Sequence, residues 1–332
     1  MLKTLVRAGI VGTGSYLPDN ILTNADLEKL VDTNDEWIRT RTGIKERRIV
    51  DAHTATSDLA ILAAQKAIDD AGIKAEDVDL IIVSTVTPDM FFPATACIVQ
   101  DKLGCTNAAA FDLMAGCSGF VYALAVGSQF ISSGIYKNVL VIGAETLSKV
   151  LDWTDRNTCI LFGDGAGAVI LQPVTEDCGI LSLELGANGI YGDILSIPAG
   201  GSKLPANKDT IENKQHFIKM AGKGLFKVAV KVMGDAATKA LDNAGIQQTE
   251  IDFMIPHQAN IRIIEAAAKR LNMDLDKVYI NIDKYGNTSA ASVPIALDEA
   301  VKEGKIKRGD NIVLVGFGAG LTWAASVIRW CK

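Results

Sequence analysis

The sequence predicts an α/β protein in which one unit is used twice. The first observation is self-similarity: AQKAIDDAGIKAEDVDLIIVST (64–85) lies over ATKALDNAGIQQTEIDFMIPHQ (237–258). Ala64, Lys66, Ala67, Asp69, Ala71, Gly72, Ile73, Asp79 and Ile82 each meet an identical residue at a constant offset, Ala64 on Ala237, that is 173 positions on. The second is the alternation of short apolar runs with helix-period segments, which calls for parallel-dominated sheets under helical cover. The third is that the interior runs are almost continuously apolar, as strands covered on both faces must be.

The elements follow in chain order. Residues 5–12 read as a strand, and the glycines, Arg7 and Pro18 around them argue against a cleaved leader. Residues 57–71 read as a helix capped by Thr56 or Ser57 and closed by Gly72. A strand over 78–83 precedes a helix over 93–103 with Pro93 at its start. A strand over 108–113 runs through Ala-Gly-Cys-Ser-Gly (115–119) into a small-residue helix over 118–133, expected between layers. Strands over 137–143 and 165–171 complete the first unit. The second repeats the order: helix 225–244, strand 251–255, helices 259–271 and 288–303, strands 311–315 and 322–330. Residues 186–224, richer in Gly, Pro, Lys and Asn, read as a surface excursion near a substrate entrance. The division expected is therefore 1–173 and 174–332.

At 332 residues and 48% hydrophobic, the chain can bury a large core. Its net charge of -6 gives no reason to expect nucleic-acid binding, and no stretch reaches the length of a membrane span. Six scattered cysteines (97, 105, 117, 159, 178 and 331), without CxxC or zinc spacing, read as reduced thiols of a cytoplasmic protein with no metal.

Under the offset, Cys117 meets Ala290 and Thr85 meets Gln258, so the copies differ in their polar groups and one active site shared between them is expected. Cys117 sits at a strand-to-helix junction with small neighbours, the setting of a nucleophile elbow, where a helix N-terminus lowers a thiol pKa. A buried cysteine is otherwise a small hydrophobe. His257 ends the strand 251–255, where α/β sheets place ligands; the plain alternative is a capping or packing histidine. His53 and His216 lie in polar segments and read as surface residues. Asn287 falls opposite Met114, just before a helix it would otherwise merely cap. Gly316-Phe-Gly-Ala-Gly320 has no helix after it, so it reads as a turn bringing backbone N–H groups to a substrate carbonyl.

Across essentially its whole length the chain resembles the thiolase-like superfamily, and within it the β-ketoacyl-[acyl-carrier-protein] synthase III family. The motifs are DEWIRTRTGI (35–44), AGCSG (115–119), FGDGAG (162–167), HQAN (257–260), YGNTS (285–289) and the 316–320 turn followed by Thr322-Trp323. The resemblance implies an internally duplicated, five-layered αβαβα fold with two mixed central sheets. It implies a Cys117–His257–Asn287 triad, an oxyanion hole of the Cys117 and Ala319 backbone N–H groups, and a ping-pong condensation of acyl-CoA with malonyl-acyl carrier protein without a cofactor. It implies a CoA site at Trp37, Arg41, Arg156 and Asn260, with Trp37 and Arg156 around the adenine. It implies a carrier-protein patch at Lys227, Arg262 and Lys269, and a homodimer in which Phe92 reaches the partner's acyl pocket. Without the resemblance, each of these reads as a surface or packing residue. Ala319 departs from the family's common triple glycine, which puts its backbone angles in question. Two further classes stay open: a relative in secondary metabolism, making a polyketide, alkylquinolone or ester, and a thiolase-like acyl-transfer protein that does not condense.

Overall fold

The structure, a computed structural model, describes residues 6–175 and 177–332. Nine strands form two mixed sheets. The first contains β1 (Arg7–Tyr16), β2 (Leu80–Ser84), β3 (Ala109–Leu113), β4 (Val139–Thr146) and β5 (Asp164–Val174), in the order β1-β5-β4-β2-β3. The second contains β6 (Gly179–Ala187), β7 (Phe253–Pro256), β8 (Asn311–Gly318) and β9 (Thr322–Arg329), in the order β7-β8-β9-β6. Strands β2, β3 and β4 run parallel, as do β7 and β8; the remaining pairs are antiparallel.

The duplication survives to the register. Leu80 pairs with Val139 in the first sheet, and Phe253 pairs with Ile312 in the second, both partners advanced by the same offset. The edge strand β3 has only a trace in the second copy, where a single bridge joins Met254 to Val278.

Alternating side chains divide the core into three layers. Leu80, Ile82, Val139 and Val141 face the second sheet, and there meet Ile255, Ile312 and Leu314 around the central helices α4 (Gly119–Ser132) and α7 (Ser292–Lys302). Ile81, Val83, Leu140 and Ile142 face the opposite way, onto α2 (Thr56–Ala71) and the nearby α3 (Thr95–Leu103). Val313, Val315 and Val327 face α5 (Gly222–Ala244) and α6 (Ile261–Arg270). The result is the five-layered αβαβα thiolase-like fold. Among the described residues, no helix is long and apolar enough to cross a membrane.

Several boundaries differ from expectation. The first strand runs on to Tyr16, and Leu5 lies outside the described residues. Helix α2 is capped by Ala55, whose N–H donates to Asp58, while Gly72 closes it with φ 67 as expected. Pro93 stands ahead of α3. Strand β6 and helix α1 (Asp35–Thr42) were not anticipated: β6 is a half-buried edge strand and α1 is mostly polar, so neither has a strong apolar pattern. The cysteine expectation is corrected. Cys178 and Cys331 form a disulfide with their Cα atoms 5.3 Å apart, because the fold lays the end of the chain beside the start of β6. Cys97, Cys105, Cys117 and Cys159 are free.

Candidate active site

The site forms where the two copies of one turn meet. In the first half, a 3-10 turn, Gly116–Ser118, leads into α4; in the second, Ser289–Ala291 leads into α7. Gly116 and Ser289 are equivalent under the offset, and both have a left-handed backbone, φ 56 and φ 49. The end of β8 presses against the first turn. A Cβ on Gly116 would lie 2.6 Å from the Ala319 nitrogen, and one on Gly318 would overlap the Cys117 nitrogen. Only glycines at both positions let the two backbones approach so closely. In the hairpin after β8 the positive φ falls on Gly320, at 142, and not on Ala319, so alanine is tolerated there and keeps its N–H.

Cys117 heads α4 and is 8% exposed. Burial pushes its thiol up to about 12, with the Ser289 side chain pulling the other way. Burial thus opposes the lowering expected at a helix start, because loss of water costs the thiolate. His257 follows β7 and is 1% exposed. Its N–H donates to the Val315 carbonyl at 2.8 Å, and Phe317 meets the ring edge-on. Nδ1 lies 2.6 Å from the Ser292 hydroxyl at the start of α7. Burial lowers its pKa to about 3, which makes it neutral. Asn287 is held by backbone: its N–H donates to the Leu161 carbonyl, and its carbonyl accepts from Gly163. Its Oδ1 accepts from the Ser289 N–H at 2.8 Å, so the NH2 group is left for the cavity. A backbone N–H faces an oxygen, which fixes the amide orientation.

Cys117 lines two cavities. One, of about 380 Å³, also has Trp37, Arg41, Asn260, His257 and Asn287 on its wall. The other, of about 390 Å³, is mostly apolar and includes Val86, Leu147, Phe162, Ile218 and Ala319. Residues between 195 and 222, within the expected excursion of 186–224, contribute to both walls, while its ends lie in β6 and α5.

At the first cavity, Arg41 and Arg156 both stand by the Trp37 ring, 5.1 and 5.4 Å from its centroid. Arg156 also bonds Asp32. Asn260 caps α6 and donates to the Arg41 carbonyl at 2.9 Å, tying α6 to α1. Arg262 packs over Phe226 and lines this same cavity, whereas Lys227 and Lys269 are exposed on α5 and α6. Phe92 is 85% exposed; Phe91, which the sequence reading did not single out, lines the chain's own apolar cavity.

Three buried residues at the site were missed. Ser292 holds His257, Ser289 lines the apolar cavity with Cys117, and Glu145, near the end of β4, bonds Ser289 at 3.0 Å. A lone carboxylate following an apolar run, next to last in its strand, was the available signal for Glu145.

Comparison with known proteins agrees with this geometry. Family models described as 3-oxoacyl-[acyl-carrier-protein] synthase III match residues 111–189, and that enzyme's C-terminal region matches residues 241–330. The chain is 63% identical over 327 residues to a β-ketoacyl-[acyl-carrier-protein] synthase III of Caldanaerobacter subterraneus, covering 98% of this chain and 99% of the relative. The chain belongs to the β-ketoacyl-[acyl-carrier-protein] synthase III family. Another such synthase, from Clostridioides difficile, is 59% identical over 324 residues, 98% of each chain. The crystal structure of the Aquifex aeolicus synthase III superposes with a TM-score of 0.90 at 50% identity, covering 97% of this chain and 100% of that one. The priming β-ketosynthase of the R1128 polyketide pathway superposes at 0.91 with 33% identity, covering 100% and 98%. As a synthase III, the chain is an acyltransferase, a condensing enzyme of fatty acid synthesis.

Proposed function

We propose that the chain joins an acyl-CoA primer to malonyl-acyl carrier protein by decarboxylative Claisen condensation, in two half-reactions on Cys117. The observation that carries this is the place of Cys117 at the junction of two cavities, one polar and shared with His257 and Asn287, the other apolar. In the first half-reaction, the Cys117 sulfur attacks the primer thioester and CoA leaves. The oxyanion is held by the N–H groups of Cys117 and Ala319, on two turns that pack together where Gly116 meets Ala319 and Gly318 meets Cys117. The acyl chain occupies the apolar cavity.

In the second half-reaction, His257 and Asn287 donate to the malonyl thioester oxygen and stabilise the enolate as CO2 departs. A neutral histidine with its proton on Nε2 is needed. Burial keeps it neutral, and a Ser292 hydroxyl donating to Nδ1 selects that tautomer. The carbanion then attacks the acyl-cysteine. Decarboxylation supplies the carbanion, so the balanced reaction calls for no redox group or metal.

Trp37, with Arg41 and Arg156 beside it, suits an adenine and phosphates. Asn260 braces this site through Arg41. Lys227, Arg262 and Lys269 supply positive charge for an acidic carrier protein on a chain of net charge -6. The exposed Met90-Phe91-Phe92 run and Met114 form an apolar surface beside the acyl cavity, fitted to a second copy of the chain in a homodimer with Phe92 at its seam.

The test is labelled acyl-CoA followed by peptide mapping, then malonyl-carrier protein with detection of the 3-ketoacyl product. Label is expected on Cys117; label on Cys97, Cys105 or Cys159 would refute the assignment. His257→Ala and Asn287→Ala are expected to slow condensation roughly a hundredfold, about 3 kcal/mol, while acylation is largely kept. A panel of primers in the same assay separates a fatty-acid role from a polyketide one.

A further inference from the structure

Acylation of Cys117 must dispose of a proton, because burial holds the resting side chain as a thiol. His257 is a poor acceptor. Its Nδ1 is occupied by Ser292, and its other nitrogen must keep a proton to donate in the second half-reaction. The structure offers another route, from the apolar cavity that Cys117 also lines.

Glu145 is fully buried, and its hydrogen bonds come from neutral donors. The Thr87 hydroxyl accepts from the Thr146 N–H at 2.9 Å, so its own proton goes to Glu145, at 2.6 Å. The Thr85 hydroxyl accepts from the Thr87 N–H and gives its proton to the same oxygen, Oε2. The Val86 N–H donates as well, at 3.1 Å. The Ser289 hydroxyl lies 3.0 Å from Oε1, and Ser289 lines the apolar cavity together with Cys117. The Ser289 hydroxyl thus ties the cavity that holds the sulfur to the Glu145 carboxylate. Ser289 stands where the first half has Gly116 and keeps the left-handed backbone that suits glycine. A serine is held there at a conformational cost, and its hydroxyl is the link.

We propose that Glu145 receives the Cys117 proton through the Ser289 hydroxyl during acylation and returns it when condensation frees the thiolate. The proposal rests on Cys117 being the acyl carrier. In the forward step, the S–H bond breaks as its proton passes to Ser289 Oγ, and the Ser289 proton passes to Glu145 Oε1. The sulfur pair forms the new C–S bond, and CoA leaves with the electron pair of the old one and takes a proton from solvent. In the second half-reaction the carbanion forms the C–C bond, and Cys117 leaves as thiolate. Glu145 then gives its proton back by the same path. Burial pushes the carboxyl up to about 7, so both protonation states are accessible near neutral pH. Beyond Ser289, the titratable group facing it is Cys117 itself. Glu145 acts through Ser289, as a positioning and proton-storing residue.

The experiment compares wild type, Glu145→Gln and Ser289→Ala for single-turnover acylation by labelled acyl-CoA against pH, with infrared difference spectra of the acylation step. Wild-type acylation is expected to accelerate as pH rises through about 7, as the carboxylate forms. Both variants are expected to lose that inflection and to acylate roughly a hundredfold more slowly. Once acylated, both should still decarboxylate malonyl-carrier protein at near the wild-type rate. A carboxylic-acid C=O band that shifts in D2O should rise when wild type is acylated and be missing in Glu145→Gln. Should Glu145→Gln fail to fold, Ser289→Ala and the wild-type spectrum decide the matter. Wild type that acylates without such a band, or variants with the wild-type rate and pH profile, would overturn the relay. Wild type with no label on Cys117 would instead overturn the reading on which it rests.

Discussion

The Ser292 hydroxyl lies 2.6 Å from Nδ1 of His257, with both groups buried. The position has a counterpart in the first half, where a Cβ on Gly119 of α4 would run into the Ser84 hydroxyl at the end of β2. The same helix-to-strand contact therefore positions a histidine in one copy and only packs in the other. Ser292→Ala removes the group that fixes the imidazole tautomer. Condensation is expected to fall about tenfold, the equivalent of one lost buried hydrogen bond of about 1.4 kcal/mol, with Cys117 acylation little changed. Separate assays of the two half-reactions check this; equal losses in both would make Ser292 a packing residue.

His257 also sets a stability dependence. Its folded pKa is depressed from 6.5 to about 3 by burial. Above pH 6.5 it is neutral in both states, and its contribution is intact. As pH falls below 6.5, the unfolded chain binds a proton that the folded one refuses, so stability is lost. Glu145, raised to about 7, acts in the opposite sense: its contribution is present at low pH and fades as pH rises. Comparing wild type with His257→Asn cancels the Glu145 part. Relative to the variant, wild type should lose about 2 kcal/mol between pH 7 and pH 5, read from urea unfolding midpoints. A constant gap would mean that the histidine titrates freely in the folded protein.

The layered fold was legible because both of its signals are local. Apolar runs such as Val139–Ile142 fix strands, and the repeat offset fixes how they pair, down to Phe253 against Ile312. Cys117, His257 and Asn287 were legible because each sits at a junction between elements and falls in a family motif. Glu145 and Ser289 were not, since their meaning lies in a contact across 144 residues that brings the two halves together. Strand β6 was missed for a different reason: an edge strand buries too little to leave a continuous apolar run.

The disulfide was invisible to spacing, its cysteines being 153 positions apart. It carries a plain expectation. Unreduced protein, denatured, should titrate four thiols, those of Cys97, Cys105, Cys117 and Cys159, and two more after reduction. Cys331→Ser should lower stability by about 2–4 kcal/mol, because the bond limits the unfolded chain. Six thiols in the unreduced protein would show that the pair is not joined in solution.

The last expectation concerns the charges around the first cavity. Arg41 stands by Trp37 on the cavity wall, whereas Lys227 and Lys269 are exposed and do not line it. Removing the two lysines should therefore weaken use of malonyl-carrier protein alone. Exposed charges steer a transient, acidic partner and act on its encounter rate, so kcat/KM should fall several-fold and lose part of its salt dependence. Arg41→Ala should do the reverse, slowing priming by acyl-CoA and sparing the carrier substrate. Arg262 is the informative intermediate: it packs over Phe226 and lines the cavity, so Arg262→Ala should impair both half-reactions. Steady-state kinetics for each substrate at low and high salt separate the three patterns. If the lysine pair reduced both half-reactions equally at every salt concentration, the carrier protein would have to dock elsewhere and the lysines would serve only the fold.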